Sequence, residues 1–90
     1  MFSLGEVLAT PGALEAIPME VIHSALQRHE IGDWGDVCDE DRGLNDQALK
    51  DGSRLLSVYH HEGKKFWIIT EAADDAGQRA ATTVLLPEEY

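Results

Sequence analysis

Most of the side chains that could take part in chemistry in this 90-residue chain are carboxylates. Many of these carboxylates lie in one stretch of the sequence. Residues 30–51 contain only two basic side chains, Arg42 and Lys50, against eight acidic ones. The eight acids are Glu30, Asp33, Asp36, Asp39, Glu40, Asp41, Asp46 and Asp51. Carboxylates this close together can bind a hard cation or can replace the phosphates of a nucleic acid. Their spacing does not match the calcium-binding loop D-x-[DN]-x-[DN]-G-x5-E, so no metal site is predicted.

The other reactive side chains do not form a catalytic or metal-binding pattern. Cys38, the only cysteine, has acidic neighbours that disfavour a nucleophilic thiolate, so we interpret it as a small packing residue. His60 and His61 are adjacent and would point to opposite faces of a strand. His23 and His29 are six residues apart and poorly aligned for one helical face. The sequence therefore predicts a protein with no enzymatic activity, cofactor or metal.

The overall charge favours a basic partner. The chain has 17 acidic and seven basic side chains and a formal net charge of −10, which repels nucleic acid and anionic membranes. Asp33, Asp36 and Asp39 recur every third residue, and in a helix they would rise about 4.5 Å per step. A DNA strand presents a charge every ~3.4 Å, a comparable spacing. We therefore predict that the eight acids of residues 30–51 and Trp34 form a partner-binding surface. Two alternatives stay open, namely that the acids only maintain solubility and that Trp34 anchors the segment to the core.

We predict that residues 1–90 form one domain, with a mainly helical part over 1–52. Ser3 and Glu6 match a capping box and predict an opening helix that Thr10 interrupts. Thr10 followed by Pro11 predicts a further short turn of helix through residue 17. Pro18 opens the next helix, which ends near residue 33. A last helix is expected over residues 44–52, stopped by Gly52. The positions expected to face inward in these last two helices are Val21, Ile22, Ala25, Leu26, His29, Leu44, Ala48 and Leu49.

The second part, residues 53–90, has the alternation of β-strands. Two runs rich in β-branched and aromatic residues flank Glu62-Gly63-Lys64, a pattern typical of a hairpin. The run before Pro87 predicts a third strand, and short connections favour an antiparallel meander. The expected fold is α+β, with three short helices packed on a three-stranded antiparallel sheet.

The segments "GDWGDVC", "LNDQALKDGSRLLSVYHHEGKKFWIITEA" and "TTVLLPEEY" together resemble a family of small acidic proteins of bacterial plasmids and other mobile elements. Within it the chain is most similar to anti-CRISPR proteins of type I-C. The resemblance covers roughly residues 4–90 and includes no catalytic motif. It implies a non-enzymatic inhibitor that binds the Cascade complex at its large subunit, Cas8c, on the basic surface that receives DNA. No individual contact residue is implied by the resemblance.

A second function remains open beside this one. The chain could be a mobile-element accessory or antitoxin-like module that binds a protein through its sheet edge or an apolar face, independently of salt. The N-terminus has no basic, apolar leader, and the sequence has no apolar run long enough to span a membrane, so we expect a cytoplasmic protein of a bacterial host. We expect a monomer rather than a dimer.

Overall fold

The computed structural model describes residues 2–90 and has the expected α+β class. The strands form one sheet in the order β1-β4-β3-β2. The elements are β1 (Glu6–Ala9), α1 (Pro11–Ala16), α2 (Met19–Glu30), α3 (Asp39–Asp51), β2 (Leu55–His61), β3 (Lys64–Thr70), β4 (Ala81–Leu85) and a 3-10 turn (Pro87–Glu89). The sheet is mixed, with four strands rather than the predicted three. Within the described residues, no helix is long and apolar enough to cross a membrane.

The fourth strand is β1, which occupies the place of the predicted opening helix. It lies parallel to β4, with Glu6 opposite Ala81 and Ala9 opposite Val84. Gly5 has a φ of 64°, a left-handed conformation that directs the chain into this pairing. The hydroxyl of Ser3 accepts a 3.3 Å bond from the Gly5 N–H and caps no helix. The capping-box prediction was wrong because pairing with a strand some 75 residues away outweighs a weak local signal.

The three later strands form the predicted meander. β2 and β3 are joined by Glu62 and Gly63, whose φ angles of 49° and 80° are typical of a type I′ turn. β3 then pairs antiparallel with β4, with Ile68 opposite Val84. The hairpin was predictable because its turn chemistry and strand pattern agree.

One face of the sheet is covered by α1 and α2. The Thr10 hydroxyl accepts the N–H of Ala13, so the predicted cap of α1 is confirmed. The main core cluster consists of Ala13, Ile17, Ile22, Ala25, Tyr59, Phe66, Ile68 and Val84. Since side chains alternate along a strand, Trp67 and its neighbours at odd positions of β3 lie on the other face, where the ring of Tyr90, just after the 3-10 turn, lies 5.6 Å from that of Trp67.

The last helix, α3, is longer than predicted and begins at Asp39. Gly52 ends it in the left-handed conformation, as expected. Leu44 was expected to face inward, but its side chain is 62% exposed. Asn45 is buried instead, and its side-chain amide bonds both the N–H and the carbonyl of Leu56 at the edge of β2. The side of α3 that faces the sheet is thus set by the two hydrogen bonds between Asn45 and Leu56 as well as by the burial of Ala48.

Candidate acidic interface

The acidic segment, residues 30–51, runs from the end of α2 through an irregular stretch into α3. The predicted helical ridge of Asp33, Asp36 and Asp39 is not present, because residues 31–38 are not helical and only Asp39 lies in α3. The irregular stretch runs beside β2. Val58 donates to the carbonyl of Trp34 at 3.0 Å and accepts from the N–H of Asp36 at 2.7 Å. The segment is therefore fixed to the sheet by main-chain bonds.

Gly35 makes this close approach feasible. It forms a parallel bridge with Val58 and has a φ of 73°. A Cβ atom at Gly35 would overlap the carbonyl oxygen of Val58 and the ring of Tyr59. Only glycine fits both the backbone conformation and the space.

Trp34 is the anchor of the segment and not part of its surface. Its side chain is fully buried, in a second core cluster with Val37, Ala48 and Leu55. The indole Nε1 donates a 3.1 Å hydrogen bond to an oxygen of Asp46 in α3. The prediction that Trp34 belongs to the partner-binding surface is therefore corrected, and the core-anchor alternative describes its position.

His29 lies beside this anchor and was not recognised as part of a polar network. It is fully buried, with Nδ1 at 2.5 Å from the Ser57 hydroxyl and Nε2 at 2.8 Å from the Thr70 hydroxyl. Its ring makes edge-to-face contacts with Phe2 and Trp34 at centroid distances of 5.3 and 5.5 Å. Burial, and next the charge of Arg79, lower the pKa of His29 to about 4. The sequence signal was its place on the apolar face of α2, which indicates a core residue.

Two of the predicted contact acids have a basic partner within the chain. Asp33 accepts two hydrogen bonds from the Arg28 guanidinium, at 2.8 and 3.2 Å. Arg28 lowers the pKa of the Asp33 carboxyl below its ordinary value, chiefly by hydrogen bonding, and the pKa of Arg28 is raised by the same pair. Asp36 lies 2.6 Å from Nδ1 of His60. Both acids remain well exposed, at 46% and 66%.

Three carboxylates at the start of α3 have no such partner. Asp39, Glu40 and Asp41, which we call the acidic turn, form the first turn of the helix and are all exposed. Among residues 2–90, no basic group lies within 4.0 Å of any of them. Their position is favourable because the N-terminal end of a helix carries a partial positive charge. The acidic turn is therefore a structured, exposed group of carboxylates.

The remaining predicted contact residues are dispersed. Asp46 is exposed and holds Trp34. Asp51 bonds Ser53 at the end of α3, and this bonding lowers the pKa of its carboxyl. Glu30, at the end of α2, is half-buried. Cys38 is exposed rather than packed, so its interpretation as a packing residue was wrong.

The described residues contain no group of three or more His, Cys, Asp or Glu side chains arranged to hold a metal ion. His23 is exposed whereas His29 is buried, so the two do not face a common site. Ser57, although close to His29, is fully buried and out of reach of a substrate. This Ser–His contact therefore stabilises the interior.

Arg79 was also missed by the sequence interpretation. It is 92% buried, and its Nη1 donates to the carbonyls of Ser53 and Glu71 at 2.7 and 3.0 Å. Its Nη2 donates to the carbonyl of Ala48 at 3.0 Å, near the C-terminal end of α3. Burial lowers the pKa of this guanidinium. Arg79 and Trp34 thus both hold the C-terminal half of α3, Arg79 through Ala48 and Trp34 through Asp46.

Comparison with models of protein families, with curated proteins and with solved structures finds no match for the chain.

Proposed function

We propose that this protein is a non-enzymatic anti-CRISPR inhibitor that binds the type I-C Cascade complex on the basic DNA-binding surface of Cas8c. The observation that carries the proposal is the acidic turn, with three exposed and unpaired carboxylates at the start of α3. A basic surface that binds DNA attracts such a group by the same electrostatics that attract phosphates. Inhibition would need neither a cofactor nor a metal. It would take place in the cytoplasm of a bacterial host.

The rigid mounting of the acidic turn supports this proposal. Loop residues just before the turn bond Val58 through main-chain atoms, and Trp34 bonds Asp46 one to two turns further along α3. A charged group that is already ordered loses less conformational entropy when it binds. A larger part of the electrostatic attraction between the acidic turn and its target therefore contributes to binding affinity.

Asp33 and Asp36 add to this surface in spite of their internal partners. Exposed ion pairs are worth about 0–1 kcal/mol, so an arginine of the target can replace Arg28 at little cost, and the side chain of Asp36 is 66% exposed to such a contact. Trp34 contributes by holding the segment and makes no contact with the target.

The experiment that tests the proposal is the binding of purified type I-C Cascade to target double-stranded DNA, with and without the protein. The test variant combines Asp39→Asn, Glu40→Gln and Asp41→Asn. Its matched control combines Glu15→Gln, Glu20→Gln and Glu88→Gln, three exposed acids outside the acidic segment. Both variants lose three negative charges, so they differ in where the charge is removed and not in how much.

Wild-type protein should abolish DNA binding, and its effect should weaken as salt is raised, because the contact is electrostatic. The acidic-turn variant should lose most of the inhibition, and the control should keep it. Equal inhibition by both variants would contradict the role of the acidic turn. Unaltered DNA binding in the presence of wild-type protein, with no association, would contradict the inhibitor proposal itself.

The alternative is a mobile-element accessory or antitoxin-like module without a CRISPR role. It is favoured by the aromatic pair on the face of the sheet opposite α1 and α2, where the rings of Trp67 and Tyr90 lie 5.6 Å apart and Tyr90 is 67% exposed. Under this alternative, capture of a partner would be insensitive to salt and to the acidic-turn variant. It would be lost on Trp67→Ser. Tyr59 is buried, so its substitution would report on stability instead.

A further inference from the structure

The two edges of the sheet differ in how their main-chain groups are satisfied. The β2 edge is covered, because Asn45 bonds both main-chain groups of Leu56 while Trp34 and Asp36 bond those of Val58. The opposite edge is β1, and among residues 2–90 its only strand neighbour is β4. An edge strand with unpaired N–H and carbonyl groups is a template for another strand.

The main-chain groups that point away from the sheet can be assigned. The N–H groups of Glu6 and Thr10 donate to Ala80 and Val84, at 3.0 Å each. Since the direction of these groups alternates along a strand, those of Val7 and Ala9 point to the free edge. Within residues 2–90 neither N–H has an acceptor outside the sheet. Two donors and two acceptors are therefore free in a row.

The side chains of β1 also leave the edge open. Val7 and Leu8 are 47% and 45% exposed, large fractions for apolar residues in a strand. The strand contains no proline, lysine or bulge of the kind that discourages pairing. An incoming strand could thus form main-chain bonds and bury apolar side chains together.

The charge around β1 indicates what kind of strand would pair there. Residues 2–20 contain Glu6, Glu15 and Glu20 and no Lys, Arg or His. The carboxylate of Glu89 lies directly after β1, where it accepts from Thr10 and from the N–H of Gly12. A second copy of this chain would bring the same acids and a net charge of −10 to the contact. Like charges oppose self-pairing, whereas a basic strand is attracted.

We propose that the free edge of β1 binds an extended segment of a partner protein in which basic and apolar residues alternate, as a fifth strand beside Val7 and Ala9. This site is separate from the acidic turn and does not depend on the inhibitor proposal. The acidic-turn variant described above should leave it unchanged, so failures of the two proposals are distinguishable.

The test uses the full chain and a short capped peptide of alternating Lys and Val as the probe. Binding is followed by fluorescence anisotropy, and hydrogen exchange of individual amides is followed by NMR. We expect saturable binding and slower exchange of the Val7 and Ala9 amides. A peptide of alternating Glu and Val should bind far more weakly, and so should a Lys–Pro peptide, because every second residue lacks a main-chain N–H and its prolines fix φ at about −65°, away from β-strand values.

The decisive variant is Val7→Pro, because it removes an outward N–H without removing a bond to β4. Edge positions of this kind tolerate proline. Binding of the Lys–Val peptide should weaken at least about tenfold, since a donor is lost and the ring obstructs the incoming strand. Val7→Thr, which keeps the N–H and a β-branched side chain, is the control and should bind within about twofold of wild type.

A second variant keeps the test decisive if Val7→Pro does not fold. Glu6→Lys reverses a charge on β1 and should weaken binding of the Lys–Val peptide, whereas Glu20→Lys in α2 should have less effect. Three outcomes would overturn the proposal: no binding of the Lys–Val peptide, equal binding of the Glu–Val peptide, or protection of Val7 that rises with protein concentration alone. The last would identify a second copy as the occupant.

Discussion

The Nδ1 atom of His29 lies 2.5 Å from the Oγ atom of Ser57, in a site where neither side chain is exposed. The network continues from His29 Nε2 to Thr70 and on to Thr82, whose hydroxyl donates to the carbonyl of Leu4 at 2.7 Å. Each hydroxyl has one proton to donate, so the carbonyl of Leu4 fixes the direction of the bonds from Nε2 to Thr70 and from Thr70 to Thr82. Thr70 donates to Thr82 and accepts from Nε2, and Ser57 donates to Nδ1. Because burial lowers the pKa of His29 to about 4, the ring is neutral at pH 7, with its proton on Nε2 and with Nδ1 as the acceptor.

This network predicts a loss of stability in mild acid. The pKa of His29 is about 4 in the folded protein and about 6.5 in an unfolded chain. Between these values the unfolded state binds a proton that the folded state does not. The contribution of His29 to stability is therefore complete above pH 6.5 and is lost as the pH falls to 4, by about 3 kcal/mol.

Urea unfolding at a series of pH values would measure this loss, and His29→Gln is the comparison. The variant should be less stable at pH 7 and should show a much smaller change between pH 6.5 and 4. Asp33, Asp51 and Glu89 have lowered pKa values, so their contributions are present above their unfolded pKa values. Those contributions are lost mainly below pH 4 to 4.5. Parallel pH curves for wild type and variant would contradict the assignment to His29.

Two glycines of the acidic segment should respond to alanine in opposite directions. Gly35→Ala should destabilise the protein by more than about 2 kcal/mol, because the new Cβ overlaps the Val58 carbonyl and φ is positive. Gly43, in the middle of α3, has nothing within 4 Å of an added Cβ. Gly43→Ala should stabilise by about 0.5–1 kcal/mol through helix propensity. Thermal unfolding of both variants measures the contrast, and equal shifts would show that residues 31–38 are not held against β2.

Substitution of Trp34 should lower the free energy of unfolding more than it lowers inhibition by the folded protein. Trp34→Phe removes the hydrogen bond to Asp46 and part of a buried ring, which should cost about 1–3 kcal/mol. Asp46→Asn keeps an acceptor for the indole N–H and should cost less. At temperatures where the Trp34→Phe variant is folded, it should keep most of its inhibition of Cascade, because Phe fills most of the buried site and the main-chain bonds to Val58 still hold the segment. A variant with native stability and no inhibition would place Trp34 in the contact after all.

The sequence predicted correctly those helices and strands whose local residue preferences agree with their tertiary contacts. The β2–β3 hairpin has a Glu-Gly turn between alternating strands, and α1 has Thr10 and Pro11 at its start. β1 was missed because four residues, EVLA, carry little pattern of their own and become a strand only beside β4. The side of α3 that faces the core was predicted wrongly for a related reason. Asn45 is buried through its bonds to Leu56, and hydropathy ranks Leu44 ahead of it.

The sequence predicted which residues carry the negative charge of the candidate site, but not how those residues are arranged in space. The composition of residues 30–51 locates the acids, and the exposed acidic turn is among them. Their arrangement depends on Gly35 and Val58, which lie 23 positions apart in the chain, and on the burial of Trp34. Such contacts depend on tertiary packing, which a spacing of three residues does not reveal.

The geometry around Arg79 predicts that lysine cannot replace it. Its guanidinium donates to the carbonyls of Ala48, Ser53 and Glu71, which come from three separate parts of the chain. An ammonium group has three donors but not the planar fork that reaches several acceptors at once. Arg79→Lys should therefore leave the buried carbonyl of Ala48 or one of the part-buried carbonyls of Ser53 and Glu71 unpaired, and should lower the free energy of unfolding by about 1–3 kcal/mol. Arg54→Lys is the control, since exposed Arg54 donates, within residues 2–90, only to the Tyr90 hydroxyl, and it should change stability by less than about 0.5 kcal/mol. Hydrogen exchange at Gly52 should become faster in Arg79→Lys alone, and native stability in that variant would show that these carbonyls are satisfied in another way.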